Sequence, residues 1–291
     1  MNSGNIDKVF IFGAGGMLGR YLYAYFQRCG KYNKVVGLER SDFEVIELRQ
    51  GQIEGVLHDL GADANSVIIN AIGLIPQAVS ADVSAREYMT VNAIFPHYLA
   101  FACAQFGTRM FQVSTDCVFS GRKSHDSGLT RYLEDTEPDE EHPYGFSKGL
   151  GEPLADGCSV LRSSLIGEDP IHGRSLLQWV LDEGSTSDSI DGYKNHFWNG
   201  ITCLQLSKII HEIIERNLFW KGVRHFFSPG RLTKFDLLSI IVEEYELQCT
   251  VSPYYLSEKI DKCLGTLYDL NEYVEIPSTQ QQIRELRKFQ F

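Results

Sequence analysis

Residues 8–19, KVFIFGAGGMLG, join a short apolar run to a cluster of glycines and then to the start of a helical pattern. Gly13, Gly16 and Gly19 follow GxxGxxG spacing, whereas the commoner GxGxxG spacing is interrupted because residue 18 is Leu. Glycine permits a tight turn and lets backbone N–H groups approach a phosphate at the positive end of a helix. The stretch therefore predicts a strand, a nucleotide-binding turn and a helix, and a strand–helix turn without a ligand is the alternative.

The same alternation of apolar runs and helical patterns continues along the first half of the chain. Further apolar runs occur at 34–39, 66–73, 109–115 and 158–167, and helical patterns occur at 17–30, 53–60, 85–107 and 143–156. Continuous apolar runs between helices are typical of parallel strands that are buried on both faces. We therefore predict an α/β fold with a doubly wound parallel sheet of the Rossmann type.

Beyond residue 167 the alternation loosens. Helical patterns occur at 175–183, 202–217 and 233–246, and a strand followed by a turn is predicted at 223–230. We predict a dinucleotide-binding Rossmann domain over residues 1–167. Residues 168–291 are predicted to form mainly a smaller C-terminal substrate-binding lobe, and interleaving of this lobe with the sheet is left open. The acidic stretch at 133–142 is predicted to be a solvated loop.

Composition narrows the classes of function. The 291 residues carry a net charge of −11, which argues against a nucleic-acid surface because duplex binding needs a basic face. The beginning of the sequence does not resemble a signal peptide, and no apolar run approaches the length of a membrane span. The seven cysteines include no CxxC pair and the eight histidines no HExxH motif, so we expect reduced thiols, a cytoplasmic location and no metal site.

The choice of cofactor depends on the end of the second predicted strand. Glu39 lies 20 residues after Gly19, where a carboxylate can accept a hydrogen bond from the ribose 2′-hydroxyl of NAD(H). Arg40 can instead pair with the 2′-phosphate of NADP(H), or it is a solvated surface charge. The two signals conflict, and the sequence slightly favours NADP(H). The residues predicted to line the pyrophosphate are Gly13, Gly16, Met17, Leu18 and Gly19.

Tyr144 and Lys148 lie four residues apart in HPYGFSKG and share one face of a predicted helix. A free tyrosine has a pKa of about 10, and a nearby ammonium stabilises the phenolate. The pair can therefore exchange a proton with a carbonyl or alcohol oxygen while hydride is transferred. An exposed helix pair without a catalytic role is the alternative.

The stretch STDCVFSG at 114–121 ends the fourth apolar run between the glycine loop and YxxxK. Together these motifs resemble the extended short-chain dehydrogenase/reductase family, and in particular its branch of nucleotide-sugar reductases related to dTDP-4-dehydrorhamnose reductase. The resemblance covers roughly residues 8–230 and includes INAIG (69–73), VNAIFPH (91–97), LRSSLIG (161–167) and WNGIT (198–202).

The resemblance implies NAD(P)H-dependent reduction of the C4 ketone of a nucleotide-linked 4-keto-6-deoxy sugar. It implies that Tyr144 protonates the substrate oxygen, that Thr115 holds the same oxygen, and that Lys148 tunes Tyr144 and binds the nicotinamide ribose. It also implies further residues along the cofactor, namely Asn70, Ala71, Gly73 and Asn92.

Asp116 and Cys117 leave two alternatives open. In related epimerase/reductases a cysteine at the position of Cys117 acts in epimerisation, which implies a bifunctional 3,5-epimerase/4-reductase with Asp116 as a further candidate catalytic group. A second acid or base is then needed, and His172 is the candidate by position. The other alternative is a small buried thiol, because free cysteine is among the residue types most often buried.

The remaining candidates belong to substrate binding. Arg174 falls where the resemblance places a substrate loop and is a candidate for binding a diphosphate. Trp198 and Asn199 are candidates for sugar or base contacts, with a buried tryptophan as the alternative, and His196 is expected to be structural or exposed. A non-catalytic NADP-binding regulatory subunit is a rival function, since the methionine adenosyltransferase β subunit resembles the same branch. Homo-oligomerisation is left open.

Overall fold

The structure is a computed structural model that describes residues 6–47, 51–78, 83–122, 131–269 and 274–291. The strands are β1 (Lys8–Phe12), β2 (Lys34–Leu38), β3 (Ser66–Asn70), β4 (Arg109–Thr115), β5 (Cys158–Ser163), β6 (Leu165–Ile166), β7 (Ser189–Tyr193), β8 (His196–Trp198), β9 (Ile201–Thr202), β10 (Gly222–His225), β11 (Leu232–Thr233), β12 (Thr250–Tyr254) and β13 (Ile260–Asp261). The α-helices are α1 (Met17–Cys29), α2 (Gln52–Leu60), α3 (Ala85–Met89), α4 (Phe95–Gln105), α5 (Pro143–Leu150), α6 (Leu176–Gly184), α7 (Cys203–Glu215), α8 (Lys234–Glu244) and α9 (Thr279–Lys288).

The main sheet confirms the predicted doubly wound α/β fold. Its six strands are all parallel and lie in the order β10-β5-β4-β3-β1-β2. The chain leaves β1 toward β2 on one side and returns through β3 on the other, so the order reverses between β1 and β3. Ligands of open α/β sheets bind outside the carboxyl ends of the strands at such a reversal. The topology therefore places the candidate site at the ends of β1, β3 and β4.

Both faces of the sheet are covered, which explains the continuous apolar runs. Successive side chains of a strand point to opposite faces. In β1, Val9 and Ile11 join the core that α1 and α7 cover, whereas Phe10 and Phe12 join the core that α2 and α4 cover. All four side chains are fully buried. A strand packed between two helical layers needs apolar residues at every position, and this is what KVFIF supplies.

The second part of the chain contributes to the main sheet as well as to smaller units. Strand β10 forms the edge of the sheet beside β5, and α7 packs against α1. The smaller units are the parallel pair β7 and β12, the three strands β11-β8-β13, and the pair β6 and β9. Residues from both predicted parts therefore build the layer that carries the glycine loop.

The long helix predicted at 85–107 is divided into three pieces. Helix α3 is followed by a π-helical turn, Thr90–Ile94, and then by α4. Pro96 lacks the N–H that would bond to the carbonyl of Asn92, and the N–H of Phe95 bonds instead to the carbonyl of Thr90, five residues back. The helix predicted at 143–156 is shorter than expected, because α5 ends at Leu150.

The acidic stretch at 133–142 is a loop, as predicted, but only half of its residues are exposed to solvent. Glu134 accepts hydrogen bonds from the backbone N–H of His225 and from the Thr266 hydroxyl. Asp139 accepts hydrogen bonds from the backbone and hydroxyl of Ser120, and Glu140 forms an ion pair with Lys262 at 3.2 Å. These carboxylates join the segment to distant parts of the chain, which composition alone does not reveal. Within the described ranges, no helix has the length and apolar character to cross a bilayer.

Candidate active site

The end of β4 brings the first catalytic candidates to the carboxyl edge of the sheet. Thr115 is the last residue of β4, and Asp116–Val118 form a single turn of 3₁₀ helix. The Thr115 hydroxyl donates a hydrogen bond to Asp116 Oδ1 at 3.2 Å and accepts one from the backbone N–H of Cys117 at 3.1 Å. Thr115 and Asp116 are buried, and Cys117 is half-buried. The hydroxyl, carboxylate and thiol are therefore held in a fixed turn.

Helix α5 brings Tyr144 to the same turn. The His142 side chain caps the helix by accepting a hydrogen bond from the N–H of Tyr144, and Pro143 occupies the first turn, where its missing N–H costs nothing. A side chain at Gly145 would place its Cβ 2.0 Å from the carbonyl oxygen of Cys117. At the other end of α5, a Cβ at Gly151 would lie 1.7 Å from the carbonyl oxygen of Asn92. The two glycines thus permit the close approach of α5, and our sequence analysis did not identify this role.

Burial dominates the titration of Tyr144 and Cys117. It raises the pKa of the Tyr144 phenol well above its ordinary value, the neighbouring Cys117 adds to the rise, and a hydrogen bond with the Thr115 hydroxyl opposes it. Burial likewise raises the pKa of the Cys117 thiol to about 12, with a further rise from the Asp116 carboxylate and an opposing effect from Lys262. Our expectation of a lowered tyrosine pKa is not met by the protein's own groups. Both side chains are protonated at neutral pH.

Lys148 lies under the same site, one turn along α5 from Tyr144. It is buried, and its amine donates a 2.7 Å hydrogen bond to the carbonyl oxygen of Val113. Burial lowers the pKa of this amine to about 8, and the Glu152 carboxylate acts against the change. A Cβ at Gly73 would lie 3.9 Å from the amine, so the lysine borders the exposed backbone that follows β3.

The glycine loop has the geometry that a pyrophosphate requires. Gly13 adopts φ +88°, and a Cβ on Gly19 would lie 2.0 Å from the carbonyl oxygen of Gly13, so the loop and α1 approach more closely than any other residue would allow. Gly16 is the exposed N-cap of α1, and no side chain caps the helix there. Met17 and Leu18 open the first turn of α1 behind it. This uncapped N-terminus leaves backbone N–H groups available to an anion.

The segments after β3 and inside the π-helical turn line the space beside this loop. Asn70 is fully buried and uses its amide on Gln112 and on the backbone N–H of Ile72. Asn92 is also buried and binds both backbone groups of Leu74, as well as the Ser147 hydroxyl. Ala71 is half-buried and Gly73 exposed. The two asparagines therefore position the backbone along which a cofactor would lie.

Glu39 and Arg40 occupy different environments. The Glu39 carboxylate lies beside the glycine loop, because a Cβ on Gly15 would be 3.3–3.5 Å from its carboxyl atoms. The Arg40 side chain is 74% exposed and forms a long 3.5 Å ion pair with Glu44. Glu39 faces the predicted ribose position, whereas Arg40 lies in solvent next to it.

The segment at 168–174 folds over the glycine loop rather than over Cys117. The ring of His172 contacts the carbonyl oxygen of Gly15 at 3.4 Å, and Arg174 is exposed, with its backbone N–H bonded to Asp169. The charged groups that act on the Cys117 thiol are the Asp116 carboxylate, which raises its pKa, and Lys262, which opposes the rise. His172 therefore contacts the glycine loop, and its role as the second acid or base of an epimerisation stays a prediction.

Trp198 and Asn199 are both buried. The Asn199 amide makes two hydrogen bonds to the backbone of Leu264, at 2.8 and 3.0 Å, so it holds the chain at this point, and a sugar contact stays a prediction. Trp198 belongs to the hydrophobic core. His196 is half-buried against Tyr193, which agrees with a structural role.

Two lysines that our sequence analysis did not identify lie near Asp116 and Cys117. Burial lowers the pKa of Lys234, and Asp116, Cys117 and Cys263 oppose that change. Burial would also lower the pKa of Lys262, but Cys117, Asp116 and Glu140 raise it on balance. Both lysines come from the last third of the chain, more than a hundred residues from β4. The described ranges contain no cluster of side chains suited to a metal ion.

Comparison with known proteins agrees with this arrangement. The family described as RmlD substrate binding domain matches residues 7–262. The dTDP-4-dehydrorhamnose reductase of Mycolicibacterium smegmatis is 32% identical over 237 residues, which is 79% of this chain and 67% of that protein. The protein of the same name from Aggregatibacter actinomycetemcomitans is 28% identical over 81% of this chain and 79% of its own. The mouse methionine adenosyltransferase 2 subunit beta is 24% identical over 82% and 72%.

Solved structures show the same fold. The dTDP-4-dehydrorhamnose reductase of Bacillus anthracis in complex with NADP aligns with a TM-score of 0.81 and 20% identity, covering 97% of this chain and 99% of that one. The Bordetella bronchiseptica enzyme WbmG in complex with NAD aligns with a TM-score of 0.75 and 13% identity, covering 99% and 96%. At these identities the structures establish the fold.

Proposed function

The chain belongs to the RmlD substrate-binding domain family, and from this membership and the site geometry we propose that it is an NAD(P)H-dependent reductase of a nucleotide-linked keto sugar. The substrate class is a nucleoside diphosphate sugar with a C4 ketone and a 6-deoxy carbon. The observation that carries the proposal is the close approach of α5, which holds Tyr144 and Lys148, to the turn after β4, which holds Thr115, at the carboxyl edge of the sheet.

The residues of the chain perform the proton part of the reaction. When bound, a reduced nicotinamide supplies the hydride. Tyr144 donates its phenolic proton to the oxygen of the C4 ketone, and it holds that proton at neutral pH because burial raises its pKa. The Thr115 hydroxyl exchanges its hydrogen bond to Asp116 for one to the same oxygen and so stabilises the charge that develops there. Lys148 supplies a buried cation one helical turn from Tyr144 and would bind the ribose hydroxyls of the cofactor.

The residues also fit the cofactor. The uncapped N-terminus of α1 at Gly16 would hold the pyrophosphate, and Gly13 and Gly19 would permit its close approach. The exposed backbone of Gly73 provides room next to Lys148, where a side chain would intrude. Asn70 and Asn92 hold this backbone in position.

A reductase assay tests the proposal. Purified protein is incubated with NADPH or NADH and a panel of nucleotide-linked 4-keto-6-deoxy sugars, and cofactor oxidation is followed by absorbance. We expect turnover with at least one sugar. Binding of either cofactor without turnover on any sugar would instead support the rival function of a regulatory subunit, which the match to the methionine adenosyltransferase β subunit keeps in view.

A deuterium-exchange experiment separates a plain reductase from an epimerase/reductase. We propose that Cys117 packs in the site and does not act as a base, because its thiol has a pKa of about 12 and His172 lies at the glycine loop. In D₂O with oxidised cofactor, a substrate that the protein reduces should acquire no deuterium at C3 or C5. Exchange that disappears in Cys117→Ala would establish epimerisation.

We propose that Glu39 and Arg40 together set the choice between NADH and NADPH. Glu39 lies beside Gly15, where its carboxylate favours a ribose hydroxyl and disfavours a phosphate. The one ion pair that Arg40 forms with the described residues is the long contact with Glu44, and it must break before Arg40 can bind a 2′-phosphate. The two neighbours therefore act in opposite directions.

Two substitutions measure these opposing effects. Arg40→Ala should weaken NADPH binding about tenfold and leave NADH binding unchanged, since a hydrogen bond to a charged group contributes about 1.5–3 kcal/mol and an exposed one less. Glu39→Gln should shift the ratio of the two dissociation constants about tenfold toward NADPH. Fluorescence titration with both cofactors gives the four constants. Equal changes for NADH and NADPH in either variant would contradict the assignment.

We propose that a second copy of the chain binds the apolar surface formed by α4 and α5. The two helices are joined by a 2.8 Å hydrogen bond between His97 and the carbonyl of Leu150. The exposed large apolar side chains of this surface are Ile94, Tyr98, Phe101, Phe146, Leu150 and Leu154. No charged residue occurs in α4, and the one in α5, Lys148, is buried, so the surface can meet its own copy without repulsion between like charges.

Phe101→Glu should convert a dimer into a monomer. Phe101 is 62% exposed on the α4 part of this surface, and a carboxylate there would be desolvated against an apolar partner. Sedimentation velocity measures the mass in solution. Tyr255→Glu, at an exposed aromatic residue outside the surface, is the matched control and should remain dimeric. A wild-type monomer at micromolar concentration would contradict the proposal.

A further inference from the structure

The indole N–H of Trp198 is a buried donor that lacks a hydrogen-bond partner among the described residues. Trp198 is 3% exposed and sits at the end of β8. Buried polar atoms are nearly always hydrogen-bonded, so an unpartnered one indicates a place where a ligand or ordered water binds.

The N–H edge of this indole lies at the carboxyl edge of the main sheet. A Cβ built on Gly200 would be 2.5 Å from Trp198 Cζ2 and 2.1 Å from the carbonyl oxygen of Ser164. Cζ2 is bonded to the ring carbon that carries the N–H. Ser164 directly follows β5, whose last residue, Ser163, pairs with Thr115. The unpartnered donor therefore lies beside the end of β5, and β5 is the neighbour of β4, which ends at Thr115.

Lys234 adds a cation at the same place. Its amine lies 5.4 Å from the centre of the Trp198 ring, and the side chain is half-buried. In the part of the chain that the structure describes, no carboxylate lies within 4.0 Å of this amine. Asp116 and Cys117 nevertheless act on its titration, against the lowering of the pKa that burial causes. The charges of the turn that holds Thr115 and Asp116 therefore act on this amine.

We propose that the Lys234 amine and the Trp198 indole N–H form a subsite that binds hydroxyl oxygens of the substrate's sugar ring. This inference rests on the proposed function and assigns the part of the nucleotide sugar that these residues hold. Both groups are donors and require acceptor oxygens. A phosphate would be repelled by Asp116, whereas a sugar hydroxyl can accept from Lys234 and donate to Asp116. The chemistry therefore favours the sugar over the diphosphate.

Calorimetric binding of three probes tests the subsite without requiring turnover. The probes are dTDP-rhamnose, which is already reduced, dTDP without a sugar, and NADPH. Lys234→Met should weaken dTDP-rhamnose by about 10- to 100-fold, the effect expected for a lost hydrogen bond to a charged group, and should change dTDP and NADPH less than twofold. Trp198→Phe should weaken dTDP-rhamnose several-fold with the same selectivity.

Lys221→Met is the matched control, because Lys221 is exposed and pairs only with Asp156 at the surface. It should leave all three affinities unchanged. An equal loss of dTDP and dTDP-rhamnose affinity in Lys234→Met would place the diphosphate at this subsite and overturn the inference, as would unchanged binding of every probe. A wild type that binds dTDP-rhamnose more tightly than dTDP but reduces no keto sugar would overturn the proposed reduction alone.

Discussion

Replacing Tyr144 by Phe is expected to slow keto-sugar reduction by about 10²- to 10⁴-fold, the usual contribution of a positioned general acid. The substitution removes only the phenolic oxygen, and Gly145, Gly151 and the His142 cap still hold α5 in place. Cofactor affinity should therefore change little, because the cofactor contacts assigned to Lys148 and the glycine loop remain. Steady-state kinetics and NADPH titration on the same preparation separate the two effects.

The pH profile provides a second readout for this acid. Burial keeps Tyr144 protonated well above neutral pH, so its ionisation should not limit reduction below pH 9. Lys148 has a pKa lowered to about 8, so its positive charge is present below pH 8 and is lost as the pH rises through that value. We expect kcat/KM for reduction to fall above about pH 8, and Lys148→Arg to delay the fall. A Tyr144→Phe variant with near wild-type turnover would rule out Tyr144 as the acid.

Replacing Glu152 by Ala is expected to lower the free energy of unfolding by about 3–5 kcal/mol, because it leaves a buried charge without its partner. Arg162 binds both carboxylate oxygens of Glu152, at 2.7 and 2.6 Å, and the two side chains are 4% and 6% exposed. The Ser114 hydroxyl donates a third hydrogen bond to the same carboxylate, at 2.6 Å. The pair joins β5 to the segment after α5, and through Ser114 it also contacts the end of β4.

Urea unfolding of three variants tests this assignment. Glu152→Ala should show the large loss in the free energy of unfolding. The double variant Glu152→Leu with Arg162→Met should recover most of that free energy, because apolar replacement of both partners removes the unpaired charge. Asp156→Ala, which breaks the exposed pair with Lys221, should cost at most about 1 kcal/mol. If the double variant is less stable than Glu152→Ala, the loss comes from packing and not from the buried charge.

Local features of the sequence were sufficient to predict the main sheet and much of the candidate site. The apolar runs predicted β1 to β5 to within a few residues, and β4 has the predicted bounds at both ends. The reason is that a strand buried on both faces needs apolar residues throughout, a requirement visible over five to seven residues. Short stretches of sequence also predict the turn at Gly13, the start of α1 and the shared helix face of the YxxxK motif in α5.

Features that depend on contacts between distant segments could not be predicted in this way. Glu134 and Glu140 look solvated by composition, yet they bind partners about 90 to 130 residues away. Gly145 and Gly151 give no local signal, because the atoms that exclude a Cβ belong to Cys117 and Asn92. The strands of the smaller sheets are short and have few residues in which to show a pattern.

The sequence by itself determined the parallel sheet and the glycine loop, and it predicted Thr115, Tyr144 and Lys148 as catalytic candidates, because each lies in a motif confined to one strand, turn or helix. Only the tertiary structure decided which groups surround Asp116. Lys234 and Lys262 reach it from the last third of the chain, whereas His172 lies at Gly15. Burial is also a tertiary property, and it keeps the Tyr144 phenol and the Cys117 thiol protonated because both are taken out of water.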